Sequence, residues 1–159
     1  MTRDEFIRYA EGCQEGLRRF LTALCCGDTM MADDLAQETL VKAYLSSDGL
    51  EDAARFKAWV FRIAYNTFVS ARRSHRPTVG YDAAPERPSA ESADGGMRYE
   101  ALYKALGLLS PAERTAILLF YMQGYTVKEI ASVTDSSEAA VKKQLSRGRD
   151  HLRGILSKD

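Results

Sequence analysis

Apolar residues in the first 76 positions recur three and four residues apart, which is the period of an α-helix with one buried face. Thr2 and Glu5 form a capping box, so the first helix can begin at Arg3. A Gly-Asp pair and a polar stretch then interrupt the pattern before it resumes. The pattern therefore predicts three helices that share a small core, at about residues 3–25, 29–45 and 55–76.

Residues 77–97 have a different composition, rich in Pro, Gly, Ser and Ala and acidic overall. Such a segment has few residues that can form a core, and proline disfavours helix at the residue before it. We therefore predict a flexible linker at 77–97 and a domain boundary there.

The helical pattern returns after the linker with two further capping boxes, at Ser110–Glu113 and Thr126–Glu129. A tight turn at Thr134-Asp135-Ser136 then separates a short helix from a last, longer one. Two such helices joined by a short turn are typical of a helix-turn-helix. The predicted fold is all-α, with two small helical domains, a three-helix bundle at 1–76 and a helix-turn-helix domain at 98–159.

Charge is distributed unevenly, although the formal net charge is zero. Residues 55–76 hold six Arg and Lys and no acid, with aromatic rings between them, whereas 1–54 and 77–100 are acidic. A basic helix can bind phosphates, and exposed rings can stack on unpaired bases. The alternative is that most rings belong to the core and the charges are solvated.

Two other predicted helices carry polar faces that are candidate binding surfaces. Residues 29–45 have an acidic face beside an apolar residue, which a solvated helix would also show. The last helix carries Lys and Arg opposite its apolar stripe, near the end that a recognition helix places against base edges.

Several function classes find little support. No apolar run is long enough to cross a membrane and no secretory signal is visible, so we expect a cytoplasmic protein with no direct membrane association. The three cysteines and two histidines lack metal-ligand spacing, so we expect no metal and no cofactor. A phosphate-binding loop and a nucleophile with a base are also missing, so we expect no enzymatic activity.

The ordered set of motifs resembles an extracytoplasmic-function (ECF) sigma factor, a minimal sigma factor with regions 2 and 4 only. The matching stretches are DDLAQETLVKAY, FKAWVFRIAYNTFVSARR, LSPAERTAILLFYMQGYTVKEIA and SSEAAVKKQLSRGRDHLR. The resemblance implies region 2 at 1–76 and region 4 at 98–159. It also implies core RNA polymerase and promoter DNA as partners, and an anti-sigma factor, which in this family is often anchored in a membrane.

The resemblance also implies roles for particular residues. In the family, the helix of the first motif docks on the clamp helices of the largest polymerase subunit, which implies Asp34, Gln37, Glu38 and Val41. The basic helix captures and melts the minus-ten element, which implies Arg62, Asn66, Arg72, Arg73 and Arg76. The last helix reads the minus-thirty-five element, which implies Glu138, Ala139, Lys142, Lys143, Ser146 and Arg147. Many relatives have Asp where this chain has Ser70, which weakens any inference about promoter sequence.

Two rival hypotheses remain. A stand-alone helix-turn-helix regulator would explain residues 98–159 but leaves the first half without a role. An anti-sigma or adaptor protein that binds only proteins would not need the basic face of the last helix.

Overall fold

The first half of the chain is a three-helix bundle in the computed structural model, which describes residues 1–75 and 93–157. The Thr2 side chain accepts a hydrogen bond from the Glu5 amide, and the Glu5 carboxylate accepts one from the Thr2 amide. Asp28 caps the second helix through the Met31 amide. These caps fix the helix starts where the sequence predicted them. The helices are α1 (Arg3–Leu24), α2 (Thr29–Leu45) and α3 (Phe56–His75).

The core of this bundle is built from aromatic and aliphatic side chains of all three helices. Phe20 of α1 lies 5.3 Å from Phe61 of α3, measured between ring centroids, and both rings are fully buried. Leu35 brings α2 into the same core. Helical spacing also predicts burial of Tyr9 in α1 and of Met31 in α2, but Tyr9 remains 36% exposed and Met31 is half-buried.

The second half of the chain consists of four further helices within the described residues. The short fifth helix continues as one π-helical turn, Leu118–Met122, and the chain reverses at Gly124 with φ of 73°. Glycine favours this left-handed conformation because it has no Cβ. The helices are α4 (Ala93–Gly107), α5 (Pro111–Ile117), α6 (Val127–Thr134) and α7 (Glu138–Leu156).

Helices α6 and α7 form the predicted helix-turn-helix. Thr126 and Glu129 make a reciprocal capping box at the start of α6, and Asp135 follows it in the left-handed conformation, with φ of 56°. Ser137 then caps α7 by accepting from the Ala140 amide. The regular structure in residues 1–75 and 93–157 is helical throughout, so the all-α prediction is confirmed.

The first turn of α4 lies inside the stretch that we predicted as linker. Glycine lowers helix propensity, but a helix that is stable further along can still propagate through it. Arg76 and linker residues 77–92 lie outside the described residues.

The two halves pack against each other. The ring of Phe61 in the first half packs edge to face on the ring of Tyr125 in the second half, with ring centroids 5.7 Å apart. The Gln123 side-chain amide donates to the Gly16 carbonyl over 3.3 Å. The sequence did not predict this contact between the halves.

Candidate polymerase and nucleic-acid interfaces

One exposed stripe of α2 carries the residues predicted to bind polymerase. Asp34, Gln37, Glu38 and Val41 are all exposed, and their spacing places them on one face of the helix. Leu35, Ala36, Thr39 and Ala43 are buried on the opposite side. Burial of that side fixes the rotation of α2 and so holds the acidic stripe towards solvent.

Exposed apolar side chains extend this stripe at both ends, which sequence reasoning missed. Met30 is 78% exposed, Val41 57% and Leu45 76%. Met30 lies eleven positions before Val41, and Leu45 lies four positions after it. Both spacings place the residue on the same helix face as Val41, so helical periodicity could have predicted their membership of the stripe. Apolar groups beside carboxylates are typical of a surface that is covered by a protein partner. Glu38 also pairs with Lys42 at 3.0 Å, which leaves the stripe mixed in charge.

On α3, most rings are core, as the alternative interpretation held. Phe56, Phe61 and Phe68 are buried, and Trp59 is half-buried against Phe56 with ring centroids 5.9 Å apart. The basic helix therefore presents charges and amides to solvent more than it presents rings.

The predicted minus-ten residues of α3 have different environments. Asn66, Arg72 and Arg73 are exposed, and the Arg72 guanidinium lies 5.7 Å from the centre of the Phe68 ring. Arg62 is half-buried, and its Nη1 donates a 2.8 Å hydrogen bond to the backbone carbonyl of Ser132 in α6. Arg76 lies outside the described residues.

On α7, all predicted minus-thirty-five residues share one exposed face. They are Glu138, Ala139, Lys142, Lys143, Ser146 and Arg147. Val141, Leu145 and Gly148 are buried on the other side. The Thr134 and Ser136 hydroxyls are 2.7 Å apart in the preceding turn, which helps to fix where α7 begins.

A buried arginine joins the two halves, and sequence reasoning missed it. Arg114 is 6% exposed and donates to the carbonyls of Leu106, Leu24 and Leu109 at 2.9, 2.8 and 3.2 Å. The Leu24 and Leu106 carbonyls lie at the C-terminal ends of α1 and α4, where the helix dipole favours a cation, and Leu109 lies in the turn that follows α4. Burial lowers the pKa of the Arg114 guanidinium. The sequence offered one signal of this burial. Arg114 precedes the buried residues Ile117 and Leu118 by three and four positions, which places it on the same face of the helix.

Two thiols of the first half, those of Cys13 and Cys25, are poor nucleophiles because burial raises the pKa of each. Burial raises the pKa of Cys25 to about 12, with a smaller contribution from Asp28. A neutral, buried thiol is unsuited to attack or to metal binding. Within the described ranges, His, Cys, Asp and Glu form no group of three or more that could hold a metal ion, and no helix is long and apolar enough to span a membrane.

Comparison with known proteins decides the family. Two family models match the chain, "Sigma-70 region 2" over residues 10–78 and "Sigma-70, region 4" over residues 99–152. The ECF RNA polymerase sigma factor SigL of Mycobacterium tuberculosis is 31% identical, in an alignment covering 82% of this chain and 77% of SigL. The chain belongs to the ECF group of the sigma-70 family. Proteins of this family are transcription initiation factors.

This sigma factor is also 31% identical to the probable RNA polymerase sigma factor RfaY of Xanthomonas campestris. That alignment covers 98% of this chain but 44% of RfaY, so the chain spans less than half the length of this relative. Among solved structures, the sigma factor RpoE of Bartonella quintana, in complex with the anti-sigma factor NepR, is similar with a TM-score of 0.82. The identity is 29%, and the match covers 98% of both chains. Because the match includes both halves, their relative positions are similar in the two proteins.

Proposed function

We propose that this sigma factor binds core RNA polymerase through α2 and directs it to promoters by reading two DNA elements. The observation that carries the proposal is that the described family residues of α2 and α7 all lie on exposed faces while their neighbours are buried. An acidic stripe with apolar ends is complementary to a basic helical partner. The exposed Lys and Arg of α7 can reach phosphates and guanine edges in the major groove.

Promoter melting follows from differential binding on α3 rather than from covalent chemistry. The exposed Asn66 amide can both donate to and accept from the edge of a base that has left the duplex. Arg72 and Arg73 lie one to two turns further along the same helix and can bind the phosphates beside it. Extruding a base costs a few kcal/mol, which contacts available only to the unpaired base must offset.

An anti-sigma factor is a further proposed partner. The similar sigma factor RpoE was solved with the anti-sigma factor NepR, and the match includes both halves of the present chain. We therefore expect an anti-sigma factor to bind the present chain as well.

Run-off transcription with bacterial core polymerase tests the proposal, with the DNA upstream of this protein's own gene as template. A discrete start that requires the protein would support it, and a pull-down with core polymerase supplies the control for docking. If the protein binds duplex promoter fragments at nanomolar concentration without core and gives no transcript with core, a stand-alone regulator replaces the sigma role.

A further inference from the structure

We propose that Tyr121 and Arg149 form a clamp for one DNA backbone phosphate beside the minus-thirty-five element. Arg149 Nη1 donates a hydrogen bond to the Tyr121 hydroxyl over 3.2 Å, and both side chains are exposed. The inference rests on the proposed function, since it requires that α7 binds DNA. It adds a backbone contact, made by two further residues, to the base-reading residues that the family resemblance implies.

The π-helical turn at Leu118–Met122 presents the Tyr121 side chain at the surface. Leu118 and Leu119 are buried in this turn, whereas Tyr121 is 59% exposed. Its ring packs edge to face on Phe120, with ring centroids 4.9 Å apart, which limits the movement of the ring. Single π-helical turns are frequent at functional sites. The Tyr121 hydroxyl is therefore held at a defined place on the surface.

The close approach of α7 to α5 brings Arg149 to this turn. Gly148 is buried, and a Cβ there would lie 2.8 Å from Ile117 Cγ1. Arg149 is the next residue of α7, and Tyr121 lies in the turn that continues α5. Packing beneath the pair therefore restricts how far apart Arg149 and Tyr121 can lie.

The pair has hydrogen-bond donors left for an anion. A guanidinium has several N–H donors, of which Tyr121 takes only one, and a hydroxyl that accepts a hydrogen bond can also donate one. Within residues 1–75 and 93–157, no carboxylate forms an ion pair with Arg149, whereas Arg153 pairs with Asp150 at 3.3 Å. Arg and Tyr are both among the side chains that bind phosphate oxygens of DNA. The free donors and the positive charge therefore fit a phosphate.

The position of Arg149 on α7 favours the DNA backbone over the bases. Arg149 lies seven positions after Lys142 and three after Ser146, so it continues the same exposed face. At about 1.5 Å per residue, it lies about 15 Å beyond Ala139 along the helix axis. The major groove is only about 12 Å wide, and the first residues of a recognition helix are those that reach base edges. We therefore place Arg149 at the wall of the groove, where the phosphates lie.

Binding of promoter DNA by the reconstituted holoenzyme tests the clamp. The duplex is the promoter found by run-off transcription, and fluorescence anisotropy measures affinity at several salt concentrations. Arg149→Met removes the charge, and Tyr121→Phe removes the hydroxyl but keeps the ring on Phe120. Arg153→Met is the matched control, an arginine one turn further along α7 whose side chain is 73% exposed and pairs with Asp150.

The salt dependence of binding identifies a phosphate contact. Arg149→Met should weaken binding about fivefold at about 0.15 M salt, which is the counterion-release contribution of one phosphate. The slope of log K against log salt concentration should become shallower by about 1. Tyr121→Phe should weaken binding about threefold through the lost hydrogen bond and keep the wild-type slope, because the charge remains. Arg149→Lys should keep the wild-type slope for the same reason.

Promoters with single substitutions in the minus-thirty-five element separate a backbone contact from base reading. The clamp predicts that Arg149→Met loses affinity by the same factor on every member of the set. Arg147→Ala, at a proposed base-reading residue, should instead lose preference at one base pair. A loss of preference at particular base pairs in Arg149→Met would make this residue a base reader and overturn the clamp.

Wild-type affinity and slope in Arg149→Met would also overturn the clamp, as would an equal loss in Arg153→Met. Weaker retention of Arg149→Met in a pull-down with core polymerase would show that the ligand is a protein carboxylate, which also accepts from a guanidinium.

The wild type alone tests the proposed function. If its holoenzyme binds the promoter no better than a duplex with a scrambled minus-thirty-five element, α7 does not read this element and the clamp fails with that role. A wild type that prefers the element, together with an unchanged Arg149→Met variant, rejects the clamp and leaves the proposed function intact.

Discussion

Gly148 of α7 packs directly on Ile117 of α5, so closely that a Cβ at position 148 would lie 2.8 Å from Ile117 Cγ1. The same Cβ would lie 3.2 Å from Ile117 Cδ1 and 3.6 Å from Glu113 Cβ. Helix α7 thus owes its position to the absence of a side chain at Gly148 on its buried face. A methyl group added there must displace the Ile117 side chain or push α7 away from α5.

Gly148→Ala should therefore destabilise the second half, by about 1–3 kcal/mol, the usual cost of overpacking a core. Gly154→Ala is the matched control, since a Cβ there would meet nothing within 4 Å on the same helix. That control should be neutral or stabilising by about 0.5–1 kcal/mol through helix propensity. Urea unfolding followed by circular dichroism measures both, and equal stability of the two variants would contradict the packing argument.

Arg114→Met should lower the free energy of unfolding by about 3 kcal/mol, because it leaves carbonyls of Leu24, Leu106 and Leu109 without their charged donor. Arg114→Lys should recover only part of this, since an ammonium lacks the planar fork that reaches several acceptors at once. Arg153→Met is the control, because that side chain is 73% exposed and pairs with the exposed Asp150. A stable Arg114→Met variant would mean that water satisfies these carbonyls.

Local features of the fold were predictable from the sequence, and contacts between distant elements were not. The capping boxes at Thr2, Ser110 and Thr126 lie where the pattern predicts, because each needs only residues three positions apart. The same holds for the turn at Asp135. The bond from Arg114 to the Leu24 carbonyl joins residues 90 positions apart, and no local pattern records that pairing.

The candidate sites also contain features that the sequence predicts and contacts that it does not. The exposed faces of α2 and α7 follow from helical periodicity together with the family resemblance. The environment of Arg62 does not, because its acceptor, the Ser132 carbonyl, is a backbone atom 70 residues away. Backbone acceptors are the same for every residue type, so the sequence around Ser132 carries no sign of the contact.

Cys25 should make the stability of this protein fall at high pH. Burial raises the pKa of the thiol to about 12 from an ordinary value of 9.0. Between these values the folded thiol keeps a proton that the unfolded thiol has lost, so unfolding becomes easier as pH rises. The contribution is complete below pH 9 and lost towards pH 12, with a slope of at most about 1.36 kcal/mol per pH unit.

Cys25→Ala should reduce that slope, measured by urea unfolding in steps from about pH 8 upward. A residual slope is expected, because burial also raises the pKa of Cys13, Tyr65 and Tyr103. Identical slopes for the wild type and Cys25→Ala would show that the folded thiol is accessible to solvent.

Val41→Asp should weaken core-polymerase binding at least about tenfold, equivalent to roughly 1.4 kcal/mol, because it places a charge in the apolar part of the proposed docking stripe. Leu45→Asp should act in the same direction, because Leu45 extends the stripe at its C-terminal end and is 76% exposed. Ile7→Asp on α1 is the control, an apolar residue that is 41% exposed outside the stripe. Competition binding to labelled core polymerase measures all three, and equal losses for Ile7→Asp would remove the specificity of the stripe.

Asn66→Ala should impair open-complex formation and leave core binding intact, because the exposed amide is proposed to read an extruded base and lies outside the buried core of the bundle. Ser70→Ala, one turn further along the same exposed face, is the matched control and should open promoters normally. Permanganate footprinting of unpaired thymines on the promoter found by run-off transcription measures opening, and the core pull-down measures docking. A promoter that is already melted over the minus-ten element separates two roles of the amide. If this template restores binding of the Asn66→Ala variant to the wild-type level, the amide assists strand separation only. If the defect persists on that template, the amide reads the unpaired base itself, which is the outcome we expect. Equal losses of core binding and opening would instead make Asn66 a structural residue of α3.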